Sequence, residues 1–275
     1  MNSSSLRIGV FDSGVGGLSV LRHLIAQVPQ ASFVYLGDTA RVPYGNKSFD
    51  TIARYAAESA AFFRTQSVDI VVVACNTVSA VALPVVETIA GVPVIGMIEP
   101  AVEAAVRTTR TGRIGVLGTR ATIQSGAYEM ALYAHAGSNN VVVFPQASPL
   151  LVALAEEGWI AHPATLAIIE EYIRPLQEEH VDTLILGCTH FPILADAIAE
   201  ITPMQLIDPG DCAAETLGRM VGTSSNGSIR APRVEYYLTD IATNFAAIAL
   251  QFLGFEAHPI HRIELDHTVM PAQRP

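Results

Sequence analysis

The sequence predicts an α/β protein made of two similar units with mainly parallel sheets. Three observations carry this. Short β-branched runs alternate with longer amphipathic stretches along the chain. Those runs are apolar throughout rather than in alternation, as strands covered on both faces must be. The chain also repeats itself at an interval of somewhat more than a hundred residues.

The expected strands are Arg7–Phe11, Phe33–Gly37, Ile70–Ala74, Val92–Ile98, Ile114–Leu117, Val141–Phe144, Thr183–Leu186 and Gln205–Ile207. Each is only a few residues long, too short for a helix and rich in Val, Ile and Leu. Between them, Ser19–Val28, Phe49–Gln66, Pro163–Gln177 and Leu194–Ile201 carry the apolar spacing of helices with one buried face. Beyond residue 210 come another helix, a polar break at Thr223–Ser228, a strand near Val234–Leu238 and a last helix at Ile241–Leu253. These pieces are expected to return to the first unit.

The repeat has three points of match in the same order. Arg7-Ile8-Gly9-Val10 recurs as Arg113-Ile114-Gly115-Val116, 106 residues on. A strand ending at Cys75-Asn76-Thr77 recurs as one ending at Cys188-Thr189-His190, 113 residues on. Ile98-Glu99-Pro100, followed by Ala104-Ala105, recurs as Ile207-Asp208-Pro209, followed by Ala213-Ala214, 109 residues on. Agreement in order and spacing indicates a duplication whose second copy starts near residue 100.

Composition narrows the function classes. Of 275 residues 26 are acidic and 16 basic, for a net charge of −10, and no basic run occurs. That argues against nucleic-acid binding as the main activity and against a polybasic membrane anchor. Half the residues are hydrophobic, too many for a disordered chain. No apolar stretch approaches the ~20 residues of a membrane span, and none reads as a secretory leader. Three cysteines, Cys75, Cys188 and Cys212, are too few and too odd in number for a disulfide framework. A reducing, cytoplasmic location is expected.

In parallel α/β sheets chemistry sits where strands end and helices begin. The duplication puts Cys75 and Cys188 at two equivalent turns of this kind, followed by polar residues that suit a helix N-terminus. A thiol there is expected to favour the thiolate. Two facing thiols suit either a redox disulfide or a pair of acid/base groups on opposite sides of one substrate. Redox pairs usually lie close in sequence as C-x-x-C, and these do not. Cys212 has no strand-end setting and reads as core.

A second cluster, Asp12-Ser13-Gly14-Val15-Gly16-Gly17, follows the first strand. It matches neither G-x-G-x-x-G nor the Walker pattern, so its glycines read as a tight turn. Its carboxylate and hydroxyl could hold an ammonium group. In the repeat Asp12 aligns with Gly118 and Ser13 with Thr119, while Asn76 aligns with Thr189 and Thr77 with His190. Each half therefore adds one different ionisable helper, Asp12 beside Cys75 and His190 beside Cys188. A third cluster, Gly37-Asp38-Thr39-Ala40-Arg41-Val42-Pro43-Tyr44-Gly45-Asn46-Lys47, is a Pro/Gly loop whose backbone N–H groups could bind a carboxylate. His258, His261 and His267, with Glu264 and Asp266, fit no standard zinc spacing and read as a solvated strand and tail. Glu156-Glu157 before Gly158 has the look of a solvated helix end.

Taken together, these motifs closely resemble those of the glutamate racemases of the aspartate/glutamate racemase superfamily. The resemblance rests on Val10–Leu18, on Gly37-Asp38-Thr39 with Pro43-Tyr44-Gly45, and on Ala74-Cys75-Asn76-Thr77. It continues through Gly118-Thr119 with Thr122, and Gly187-Cys188-Thr189-His190-Phe191-Pro192, and covers roughly residues 7 to 255. It implies a cofactor-independent isomerase that interconverts L- and D-glutamate and supplies D-glutamate for peptidoglycan. By the same resemblance Cys75 and Cys188 are the catalytic acid/base pair, Cys75 serving the D-isomer and Cys188 the L-isomer. Asp12, His190 and Glu156 assist them. Substrate binding would fall on Asp12, Ser13, Asp38, Pro43, Tyr44, Gly45, Asn76, Thr77, Thr119, Thr122, Thr189 and His190. No metal is implied.

The reading that follows is of two three-layer α/β domains related by a pseudo-two-fold, with the active site at their interface. Residues 1–99 plus 208–265 form the first domain and 100–207 the second, with 266–275 a tail. The partners expected are a small-molecule substrate and a second copy in a homodimer, with no nucleic acid and no membrane. Three positions depart from the family pattern: Phe191 where Tyr is common, Ser148 where Cys is common, and Pro209 where Ser is common. None removes a proposed catalytic group.

Overall fold

The computed structural model describes residues 6–137, 140–222 and 233–269. The polar break expected at 223–228 and the end of the tail lie outside the described residues. Along the chain, β1 (Arg7–Asp12) is followed by α1 (Gly17–Gln27), β2 (Ser32–Gly37), α2 (Phe49–Thr65), β3 (Ile70–Val73), α3 (Asn76–Val81), α4 (Leu83–Ala90), β4 (Val94–Ile95) and α5 (Ile98–Thr108). The second passage runs β5 (Arg113–Gly118), α6 (Arg120–Gln124), α7 (Ala127–Ala136), β6 (Val142–Ala147), α8 (Leu150–Glu156), α9 (Pro163–Glu178), β7 (Thr183–Gly187), α10 (Ala195–Ile201) and β8 (Gln205–Ile207). Then come α11 (Pro209–Val221), β9 (Arg233–Leu238), α12 (Phe245–Leu253) and β10 (Ile260–Arg262).

Two sheets result. The first has the order β10-β9-β2-β1-β3-β4 and the second β6-β5-β7-β8. Every strand pairing among the described residues is parallel. The block β2-β1-β3-β4 has the same order as β6-β5-β7-β8, so the sequence repeat is a repeat of topology. β9 and β10 extend the first sheet only.

Both faces of each sheet are covered, which is why the strands are apolar at every position. In the first, Ile8 and Val10 meet Leu21, Leu24 and Leu217 of α1 and α11. Phe11, Val71 and Val73 meet Ile52, Ala56 and Val78 of α2 and α3 on the opposite face. In the second, Leu117 and Leu186 face α8, α9 and α10, while Val116 and Ile185 face α5 and α7. Each fully buried aliphatic side chain contributes roughly 1.5–3 kcal/mol of burial free energy.

The boundaries differ from the sequence expectation where a side chain redirects the backbone. β4 covers only Val94–Ile95 of the expected Val92–Ile98, because Ser79 Oγ takes the Met97 N–H at 3.1 Å and α5 begins at Ile98. β6 runs past Phe144 through Pro145, which an edge strand tolerates because no ladder bond needs its missing N–H. The last helix starts at Phe245 rather than Ile241. Among the described residues no helix is long and apolar enough to cross a membrane.

Candidate active site

Parallel strands point their C-terminal ends the same way, so the turns after β1, β3, β5 and β7 converge. Ser13, Cys75, Thr119 and Cys188 occupy those four turns, and all four line one cavity of about 250 Å³. The remaining wall comes from the loop after β2 and from α8.

On the first side, Cys75 is the N-cap residue of α3, and its Sγ donates to Ser13 Oγ at 3.3 Å. Asp12 lies behind this pair, fully buried, with Oδ2 accepting the Gly14 N–H at 2.9 Å and Oδ1 unpartnered. Burial raises the Asp12 carboxyl above its ordinary value, opposed by the charge of His190. The expectation of a ready thiolate fails for Cys75. Burial first, and the Asp12 charge second, push its thiol up to about 12. A helix of six residues supplies too little dipole to offset complete desolvation.

On the second side, Cys188 Sγ lies 3.7 Å from His190 Nδ1, and His190 Nε2 lies 2.9 Å from Glu156 Oε1. Burial alone would depress the imidazole. Hydrogen bonds to Cys188 and Glu156, with their charges, outweigh it and lift His190 to about 10. Glu156 is therefore not simply a solvated helix end: it closes a carboxylate–imidazole–thiol line at the end of α8, with its side chain about one-third exposed.

Hydroxyls and amides fill the space between. Thr77, Thr119 and Thr122 share a ring of hydrogen bonds of 2.9 to 3.2 Å, with Thr77 and Thr119 on the cavity wall. Asn76 Oδ1 accepts from the Tyr128 hydroxyl at 2.6 Å. Among the described residues no Lys or Arg lines the cavity; its ionisable groups are the two thiols, His190, Glu156 and the Tyr44 phenol.

Of the expected binding residues, Pro43, Tyr44 and Gly45 line the cavity on the loop side, as do Ser13, Asn76, Thr77, Thr119, Thr189 and His190. Asp12, Asp38 and Thr122 do not; they stand one layer behind. Asp38 accepts from the Tyr44 hydroxyl, from Arg41 Nε at 2.6 Å and from Thr239 Oγ1 at 2.9 Å, so it holds the loop. Asp12 is buried behind the wall, with Oδ2 on the Gly14 N–H and Oδ1 without a partner. The glycines after it do more than turn the chain. Gly16 has an ordinary φ of −60°, yet a Cβ there would meet Thr189 Oγ1 at 2.4 Å. A Cβ on Gly45 would meet Thr119 at 2.6 Å.

Three further residues on the cavity wall, Pro149, Val152 and Ala153, went unrecognised because an apolar helical run carries no mark of a site. Cys212, expected in the core, is only half-buried near the start of α11. The C-terminal histidines are spread out. His258 lies near Glu256, His261 stacks on Tyr237, and His267 Nδ1 lies 3.1 Å from Glu58.

The family model described as Asp/Glu/Hydantoin racemase matches residues 8–217. The chain is 41% identical over 269 residues to a glutamate racemase of Syntrophus aciditrophicus, spanning 96% of this chain and 99% of that one. It is 44% identical over 259 residues to a glutamate racemase of Chlorobaculum tepidum, spanning 92% and 94%. Its fold is similar to the crystal structure of glutamate racemase from Francisella tularensis in complex with D-glutamate, with a TM-score of 0.88. The two are 35% identical, with 95% and 98% of the chains covered.

Proposed function

The chain belongs to the Asp/Glu/hydantoin racemase family, and from that premise we propose that it is a glutamate racemase, interconverting L- and D-glutamate without a cofactor by proton transfer at Cys75 and Cys188. The observation that carries this reading is that both thiols, from equivalent turns of the two sheets, line one cavity. Each has its own ionisable neighbour, Asp12 for Cys75 and His190 for Cys188.

Racemisation replaces the α-hydrogen of glutamate on the opposite face, so one group must take a proton while another gives one. The two thiols have different ionisable neighbours. Cys75, pushed up to about 12, rests as the thiol. Cys188 lies beside His190, whose imidazole is held up by its hydrogen bonds to Cys188 and Glu156 and can exchange a proton with that sulfur. The Cys188 thiolate removes the α-proton of L-glutamate; the Cys75 thiol then delivers its proton to the other face. The electron pair left on the α-carbon is shared with the substrate carboxylate and stabilised by hydrogen-bond donors of the cavity wall. Turnover leaves Cys188 as thiol and Cys75 as thiolate, the starting state for D-glutamate. Return to the starting state for L-glutamate takes one proton from the Cys188 thiol and gives one to the Cys75 thiolate, by exchange with solvent, with His190 and Asp12 the ionisable neighbours of the two sulfurs.

A cavity without Lys or Arg receives the two substrate carboxylates on neutral donors: the Tyr44–Gly45 backbone, the Thr77 and Thr119 hydroxyls and the Asn76 amide. The division of the chain into 1–99 plus 208–265 and 100–207 belongs to the same reading, supported by the sorting of strands into two sheets. So does a role in supplying D-glutamate to peptidoglycan, supported by kinship with the glutamate racemases.

The test is incubation with L-glutamate in D₂O without added cofactor, following optical rotation and α-deuterium together. Loss of rotation with deuterium at the α-carbon is expected. Deuterium uptake without loss of rotation would mean that one thiol exchanges and the other does not deliver. With neither signal, the glutamate reading fails.

A further inference from the structure

Tyr128 lies on α7, outside every motif discussed above. Its side chain is buried, its hydroxyl donates to Asn76 Oδ1 at 2.6 Å, and its ring edge lies 3.1 Å from where a Cβ on Gly187 would stand. Asn76 directly follows Cys75 and Gly187 directly precedes Cys188. One side chain therefore touches both cysteine turns.

We infer, on the reading of the cavity as a glutamate site, that Tyr128 is a positioning residue that fixes which end of the Asn76 amide faces the substrate. A side-chain amide has an acceptor end and a donor end, and a carboxylate can only accept. By occupying Oδ1, the Tyr128 hydroxyl leaves Nδ2 as the end available to the cavity. Rotated by half a turn, the same amide would set a carbonyl oxygen against a substrate carboxylate, in a cavity with no Lys or Arg to compensate. The hydroxyl remains a donor throughout the working pH range, because burial holds the phenol well above its ordinary pKa. The ring acts in the same sense, since Gly187 leaves room for it and so seats Tyr128 against the Cys188 turn.

Tyr128→Phe keeps that seat and removes only the donor. Its effect is measured by calorimetric titration with D-glutamate, whose conversion to its mirror image is thermoneutral. The expected result is a dissociation constant raised about ten-fold in the native background and less than about two-fold in an Asn76→Ala background. The KM for each isomer should rise more than kcat falls. In the ligand-free protein, the Asn76 side-chain amide resonances should move in Tyr128→Phe. Equal weakening in both backgrounds would show a general structural role and overturn the proposal, as would unchanged affinity in the native one. A native protein that does not bind glutamate would instead sink the functional reading. The ligand-free amide resonances still decide the positioning role in that case: if Tyr128→Phe leaves them unmoved, it is wrong.

Discussion

Gly16 and His190 stand so close that a single methyl group would not fit between them: a Cβ on Gly16 would lie 2.6 Å from the imidazole Cε1 and Nδ1. Gly16 belongs to the loop after β1 and His190 to the loop after β7, so this contact sets how near the first sheet's turn comes to the second thiol's helper. Ser19 Oγ, which lies 2.8 Å from the Gly16 carbonyl and 2.9 Å from the Thr189 carbonyl, reinforces it from α1.

Gly16→Ala should therefore act by steric displacement, since the φ of −60° suits alanine. A shift of the imidazole by about 1 Å is expected to lower kcat about 10²-fold. Thermal unfolding of the variant should move little, and a variant with normal turnover would show that the contact is slack.

Cys75→Ala and Cys188→Ala should each reduce racemisation by at least ~10³-fold, the scale of one positioned acid or base. Cys212→Ala should leave it unchanged, because that thiol is half-buried near the start of α11, away from the cavity. Rotation assays on the three variants decide this, and substantial turnover without either cavity thiol would end the two-thiol mechanism.

Glu156→Gln should shift the alkaline limit of the pH profile. His190 is lifted to about 10 by Cys188 and Glu156 against the effect of burial. A folded pKa above the unfolded value of about 6.5 contributes stability that is fully present below pH 6.5 and lost as pH rises through about 10. Removing the Glu156 charge brings His190 down, so the alkaline fall of kcat/KM should begin at lower pH, as should the histidine titration followed by NMR. An unaltered alkaline limb would separate Glu156 from His190.

Asp182→Asn should destabilise the protein without touching the site. Asp182 accepts from Thr109 Oγ1 at 2.6 Å and from the N–H groups of Arg110 and Thr111 at 2.8 Å, tying the turn that enters β5. Burial works against these bonds, but together they hold the carboxyl down at about 2. A depressed pKa contributes stability above the unfolded value of about 3.9 that is lost as pH falls toward 2. Because Asp182 is only partly buried, the expected loss is about 1 kcal/mol near neutrality, shrinking at low pH, read by urea unfolding.

Much of this protein is visible in its sequence because periodicity and repetition are local or linear properties. Apolar runs too short for helices specify buried parallel strands, and three matched motifs mark two similar units, which the structure shows as the shared order of β1-β3-β4 and β5-β7-β8. The equivalence of Cys75 and Cys188 follows from the same repeat, as does the asymmetry of their helpers, since Asp12 aligns with Gly118 and His190 with Thr77.

Depth and protonation are different, because they depend on what other segments bring within a few ångströms. Asp38 and Thr122 sit in cavity-forming motifs yet stand behind the wall, their polar groups taken up by Tyr44, Arg41, Thr77 and Thr119. Cys75 has the sequence setting of a thiolate, but complete burial beside Asp12 keeps its proton on. Tyr128 carries no motif at all, and matters only because α7 lies against both cysteine turns. The sequence determined which residues are the candidates for the chemistry and that they come in two related sets. Only tertiary structure decided which of them face the cavity and which proton each holds, because desolvation and hydrogen bonding are set by neighbours distant along the chain.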